Sequence, residues 1–140
     1  MMPPNALRAL EFDRIVEAVT GFALTPMGAE SLAGLEPSTD AQKVAQLLAA
    51  TSETARFIDA NGLFPVRASS DLPQILAALA VEGRALEPLR LLALAAFLDS
   101  VDECRAAIRR ASGSFPILDA ASSGAASFKV ETGHLSLIHI

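Results

Sequence analysis

The 140-residue chain has no tryptophan, no tyrosine and one cysteine, and only seven phenylalanines supply its aromatic content. An aromatic-poor sequence whose apolar residues are mainly Ala and Leu favours helices over strands. An all-α architecture is therefore expected. Cys104 has no partner for an intrachain disulfide. Its place in an apolar helical pattern makes it a small core residue rather than a reactive thiol, and the compartment reads as reducing. Basic charge is also scarce: 11 Lys and Arg stand against 16 Asp and Glu, a net charge of -5. That balance opposes a polyanion at long range and disfavours autonomous DNA binding. No apolar stretch approaches the roughly 20 residues needed to cross a bilayer. The longest, Leu91 to Leu98, is bounded by Arg90 and Asp99 and is expected to form a buried helix. The first residues, MMPPNALRALEFDR, lack the basic segment and apolar stretch of a secretory signal. The expectation is a cytoplasmic chain without membrane contact.

Several chemistries are missing as well. No G-x-x-x-x-G-K-[ST] loop is present to wrap a triphosphate, and neither G-x-G-x-x-G nor G-x-S-x-G occurs. ATPase, dinucleotide-binding and serine-hydrolase functions fall together for this segment. No fixed-period repeat is evident.

What is present is a hydrophobic content of 51%, enough to build the core of one domain. Phe12, Ile15, Val16, Val19 and Phe22 recur at helical spacing and predict a first helix ending near Ala23. Thr25-Pro26 starts a second, because the hydroxyl can cap free amides and proline at the first helical position loses no needed donor. Glu36-Pro37 stops it after about Leu35. Thr39 and Gln42 have capping-box spacing ahead of a third helix, with Val44, Leu47, Leu48, Thr51, Ala55 and Ile58 on one face and Asn61-Gly62 at its end. Leu63 to Ser70 reads as a loop. Asp71 then caps a fourth helix carrying Leu72, Ile75, Leu76 and Leu79, with Gly83 just past its end. The fifth and longest runs from near Leu86 to about Ala111, with Pro88 in its first turn and an apolar middle that implies neighbours on more than one side. A sixth segment is expected from Pro116 to about Val130. The architecture is thus about five or six helices in residues 1–132. Residues 133–140 end on an uncapped apolar run and are set apart as a tail expected to reflect truncation or artefact.

Few residues invite a chemical role. Glu131 and His134 form one E-x-x-H, the spacing of carboxylate-bridged metal bundles, but such a site needs a second copy and two further glutamates. Incidental surface residues are favoured, and His139, five residues on, adds little. Asp99, Asp102 and Glu103 lack the loop glycine of a calcium site and read as a solvated face. Arg105 and Arg109 can pair with such carboxylates, and the cluster of Arg105, Arg109 and Arg110 reads the same way. No residue is assigned a catalytic, cofactor-binding or metal-binding role, and no cofactor is expected in this segment.

The run LEFDRIVEAVTGFALTPMGAESLAGLEPSTD, residues 10–40, resembles the opening of the type-2 MutS proteins of bacteria. In that family an L-E-F-D-[KR]-I helix leads into a T-P-x-G turn, here Thr25, Pro26 and Gly28. A short helix, a proline stop and a long helix follow. TSETARFIDANGLFP resembles the family's T-S-E-A segment and the glycine-proline loop behind it, and DLPQILAALAVEGRALEP resembles the next helix pair. The likeness covers roughly Leu7 to Leu98. It implies the helical core and lever region of a protein without mismatch-recognition domains. The family's later parts would be a clamp, a dimerising ATPase that uses ATP and magnesium, and usually a small MutS-related nuclease domain. The implied partners are the remaining domains of the same parent chain, a second parent chain in a homodimer, and DNA or the ribosome through the full-length protein. The resemblance implies DNA repair by suppression of recombination, and ribosome rescue, with this segment a non-catalytic scaffold coupling the ATPase to the arms that grip nucleic acid. The alternative is a stand-alone helical adaptor that binds a partner helix in an apolar groove. A third reading, a small metal-dependent bundle enzyme, predicts bound iron or zinc in the purified protein.

Overall fold

A computed structural model describes residues 4–138, and among them every regular element is helical. The order is α1 (Pro4–Ala9), α2 (Phe12–Thr20), α3 (Pro26–Ala33), α4 (Ala41–Asn61), α5 (Leu72–Leu79), α6 (Pro88–Arg110), a 3-10 turn (Ser112–Ser114), α7 (Pro116–Ser123) and α8 (Lys129–Ile138). The all-α expectation holds. None of these helices is long and apolar enough to cross a membrane.

Helix ends follow local chemistry. Thr25 caps α3 as its residue type predicts: its Oγ1 accepts from the Gly28 amide at 2.9 Å, with Pro26 in the first turn. A Cβ on residue 28 would lie 3.0 Å from that oxygen, a contact the hydroxyl would relieve by shifting a few tenths of an ångström. The third helix begins differently from the capping-box expectation. Asp40, not Thr39, caps α4, its Oδ1 accepting from Gln42 and Lys43 amides at 2.9 and 3.2 Å. Gly62, at φ 85°, closes that helix in a left-handed conformation that suits glycine. Asp71 makes no capping bond to α5. Its carboxylate instead accepts from the Ser69 hydroxyl at 2.8 Å and faces the Arg90 guanidinium at 3.3 Å, spending on loop and α6 partners what it was expected to give to the helix end.

Three segments are divided more finely than their periodicity suggests. The chain ahead of Phe12 forms its own helix α1, separated from α2 by Glu11 at φ 48°. The first amphipathic helix ends at Thr20, where the Gly21 amide bonds back to Glu17. The sixth segment is two helices, broken over residues 124–128 after Gly124. The second of these, α8, runs through the point at which residues 133–140 were set apart.

Packing concentrates in the second half of the chain. Helix α6 lies against α5, α7 and α8, while α4 packs on α7, α2 on α1 and α3, and α3 on α5. Phe57, Ile108 and Phe115 form a buried cluster, with Phe64, Ala107, Ala111 and Leu118 packed around it. The Phe57 ring stacks on Phe64 at 5.0 Å and meets Phe115 edge-on at 5.2 Å, geometries that suit the ring quadrupoles. The apolar run of α6 is covered incompletely: Leu94 and Ala95 are buried, Leu92 is 54% exposed, and the other residues of 91–98 are half-buried. That corrects the buried-helix expectation. Neither α2 nor α3 fully buries any residue, and Phe22 is 84% exposed.

Candidate functional site: a junction clamped by carboxylates

The polar groups that the fold takes out of water lie along the contacts of α4 with α7 and of α6 with α8 and the 62–70 loop. Helix α7 begins Phe115-Pro116, and Phe115 supplies no capping side chain. The free amide of its third residue, Leu118, donates instead to Glu53 Oε2 at 2.7 Å, across 65 positions of sequence. Glu53 is only 3% exposed. A carboxylate from α4 thus caps the start of α7, where unpaired amides and the helix dipole both favour negative charge.

Helix α8 is begun in the same manner from α6. Asp102 Oδ2 accepts from the Phe128 amide at 3.0 Å, and its other oxygen meets Arg105 at 3.3 Å. The Asp102 side chain is 10% exposed. Burial pushes its carboxyl upward, but the Phe128 amide, the Ser127 hydroxyl and Arg105 outweigh it and hold the group below the ordinary carboxylate range. Thr132, buried on α8, donates its hydroxyl back to the Phe128 carbonyl at 2.8 Å.

The loop between α4 and α5 is fastened to α6 by two further groups. Ser100 Oγ accepts from the Arg67 amide at 3.0 Å and donates to the Phe97 carbonyl at 2.6 Å. The Arg67 guanidinium forks onto both Glu103 oxygens at 3.0 and 3.2 Å. This hydrogen bond lowers the Glu103 pKa and raises that of Arg67. Both side chains are about half exposed, so the pair contributes little on its own.

The solvated-face reading therefore fails for Asp102 and stands for Asp99 and Glu103, which are exposed, although Glu103 also pairs with Arg67. Long-range partners on α8 and the 62–70 loop are invisible to i, i+3 and i, i+4 counting. The arginines divide. Arg105 pairs with Asp102, Arg109 lines a cleft of about 200 Å³ with Ser127 and Lys129, and Arg110 borders another of about 350 Å³ with Phe57, Leu63 and Glu103. They form no common strip. Cys104 is half-buried rather than a core residue, and burial pushes its thiol pKa up. Glu131 and His134 are both exposed on α8, and His139 lies outside the described residues. Among the described residues no group of three or more His, Cys, Asp or Glu side chains gathers around a common point. Glu53 was missed altogether. The available signal was a proline-started helix preceded by phenylalanine, an N-terminus that requires an acceptor from elsewhere.

Chemically, the junction is a clamp. Its buried carboxylates are committed to backbone amides and an arginine.

Over 95 residues, 68% of this chain, the sequence is 36% identical to the endonuclease MutS2 of Geobacillus kaustophilus (strain HTA426) and equally to the endonuclease MutS2 of Geobacillus thermodenitrificans (strain NG80-2). Over that segment the chain is related to MutS2. The match spans 12% of the length of each of these MutS2 proteins. No family model matches the chain, and neither does any solved structure.

Proposed function

We propose that this chain is a non-catalytic helical scaffold segment of a MutS2-type DNA-binding ATPase. The parent would be a cytoplasmic homodimer using ATP and magnesium, with roles in recombination suppression, DNA repair and ribosome rescue. The observation that carries the proposal is the 36% identity over 95 residues to two endonuclease MutS2 proteins. The clamped junction supports the scaffold role, because its carboxylates fix helices to one another. Exposed apolar stripes on α2 and α4 support the presence of further domains of the same parent.

The test has two arms. The 140-residue chain, given ATP and magnesium, should show no turnover above buffer. The Geobacillus kaustophilus endonuclease MutS2, with its matching segment replaced by these residues, should keep its ATP hydrolysis within a few-fold. Turnover by the chain alone, or a soluble folded chimera without activity, refutes the scaffold reading. A stand-alone adaptor draws on the same exposed stripe and parts from this reading at the gene. A frame running on into a G-x-x-x-x-G-K-[ST] loop supports the parent, and a stop codon after Ile140 supports the adaptor.

A further inference from the structure

Helix α4 carries its apolar stripe on the wrong side for its own fold. At about 100° per residue, Glu53 and Phe57, the residues it buries, sit roughly 140–180° around the helix from Val44, Leu48 and Ala55. Leu47 is 56% and Leu48 61% exposed, Ala41, Thr51 and Ala55 are exposed as well, and Val44 and Ile58 are half-buried. Ala41, Val44, Leu48, Thr51, Ala55 and Ile58 alternate three- and four-residue steps, the spacing of a coiled-coil seam. Thr51 donates its hydroxyl to the Leu47 carbonyl at 2.9 Å, so its polar atom is already satisfied.

We propose that this stripe is the docking seam for an apolar helix with basic flanks, contributed by the rest of the parent polypeptide; this rests on the scaffold reading above. The length of chain outside the match supports that source, since the matched segment is 12% of each Geobacillus relative. Charge selects against a second copy. The charged positions bordering the seam are Asp40 and Asp59, both acidic. Lys43 lies about 100° away from Val44, and the Arg56 guanidinium sits 6.0 Å from the centre of the Phe115 ring. A second α4 therefore brings no cation to either aspartate. Small Ala41, Thr51 and Ala55 leave room for bulky residues on the incoming helix.

The test titrates the full 140-residue chain with two synthetic helices of about 21 residues, both with Leu at the seam positions. One has Lys and the other Glu along the flanks. The Lys peptide should bind about tenfold more tightly than the Glu peptide. Leu48→Glu should weaken that binding at least about tenfold while leaving the circular dichroism unchanged. Gln46→Glu, the same charge on another side of α4, should leave it intact. Binding indifferent to flank charge or to Leu48→Glu, or no binding at all, overturns the seam. So does a chain that sediments as a dimer broken by Leu48→Glu. The two readings fail separately. ATP turnover by the chain alone sinks the scaffold, whereas absent peptide binding sinks the seam and leaves the chimera's ATP hydrolysis untouched.

Discussion

Removing Glu53 tests whether one side chain of α4 holds the start of α7 in place. In Glu53→Ala the Leu118 amide loses an acceptor 2.7 Å away in a part-buried setting. A hydrogen bond to a charged group contributes about 1.5–3 kcal/mol, and orphaning the donor forfeits most of that. Lost packing of a nearly buried side chain adds to the damage. The expected loss is about 2–3 kcal/mol, which for a chain of this length lowers Tm by about 6–12 °C. Glu53→Gln retains a carbonyl acceptor and loses only the charge facing the helix dipole, so about 1 kcal/mol is expected. Glu53→Met retains most of the volume and has no acceptor, which separates packing from capping.

Urea unfolding followed by circular dichroism measures the global loss, and hydrogen exchange at the Leu118 amide measures the local one. Faster exchange in Glu53→Met and Glu53→Ala but not in Glu53→Gln is the signature of the cap. A Glu53→Ala chain within about 0.5 kcal/mol of the original, or Glu53→Gln as damaging as Glu53→Ala, would refute the reasoning. A Met variant more stable than the parent would show that desolvating the carboxylate costs more than the cap returns.

Three further outcomes follow, two at the same junction and one at the start of α3. Asp102 and Glu103 titrate below their unfolded values, so their stabilisation is fully present above the ordinary carboxylate range and is lost as pH falls through the lower folded values. Asp102→Asn should flatten that acid limb and reduce helicity by about one turn's worth of α8, checked by urea midpoints across pH. Ser100→Ala removes a group bonded to both the Arg67 amide and the Phe97 carbonyl, so about 1–2 kcal/mol should be lost in denaturant titration, whereas Arg67→Ala, which removes a solvent-screened pair, should leave the midpoint nearly unchanged. Gly28→Ala crowds the Thr25 hydroxyl at 3.0 Å but gains about 0.5–1 kcal/mol of helix propensity, so Tm should move by no more than a few degrees.

Much of the fold was legible because helix boundaries depend on neighbouring residues. Thr25-Pro26, Asn61-Gly62 and Pro88 each mark an end that local sterics or capping alone decide. Asp71 and Asp102 were misjudged for the opposite reason, since each acts on a group distant in sequence: Arg90 for one, the Phe128 amide for the other. Periodicity found the stripe of α4 correctly but not what it faces, because the pattern reports that a face must be covered and not which element covers it. Glu53 lay hidden for a related reason: a charged residue on the side away from the stripe looks solvent-bound until another helix start arrives to use it.

These mistakes share a physical origin that bears on the function. Where caps are local, a helix can form and move by itself. At the junction, α7 takes its cap from α4, and α8 takes its own from α6. Neither terminus can shift without breaking a hydrogen bond to a carboxylate. Displacing α6 therefore carries α8 with it and pulls on the 62–70 loop through Ser100 and Glu103. The free stripe of α4 lies on the same helix as Glu53 and Phe57, so a partner docked there is linked to α7 through the Glu53 cap and the Phe57–Phe115 contact. Glu53→Ala should then loosen that link, read as faster hydrogen exchange at the Leu118 amide, while leaving the Lys-flanked peptide bound with unchanged affinity, an outcome that general loss of α4 could not produce.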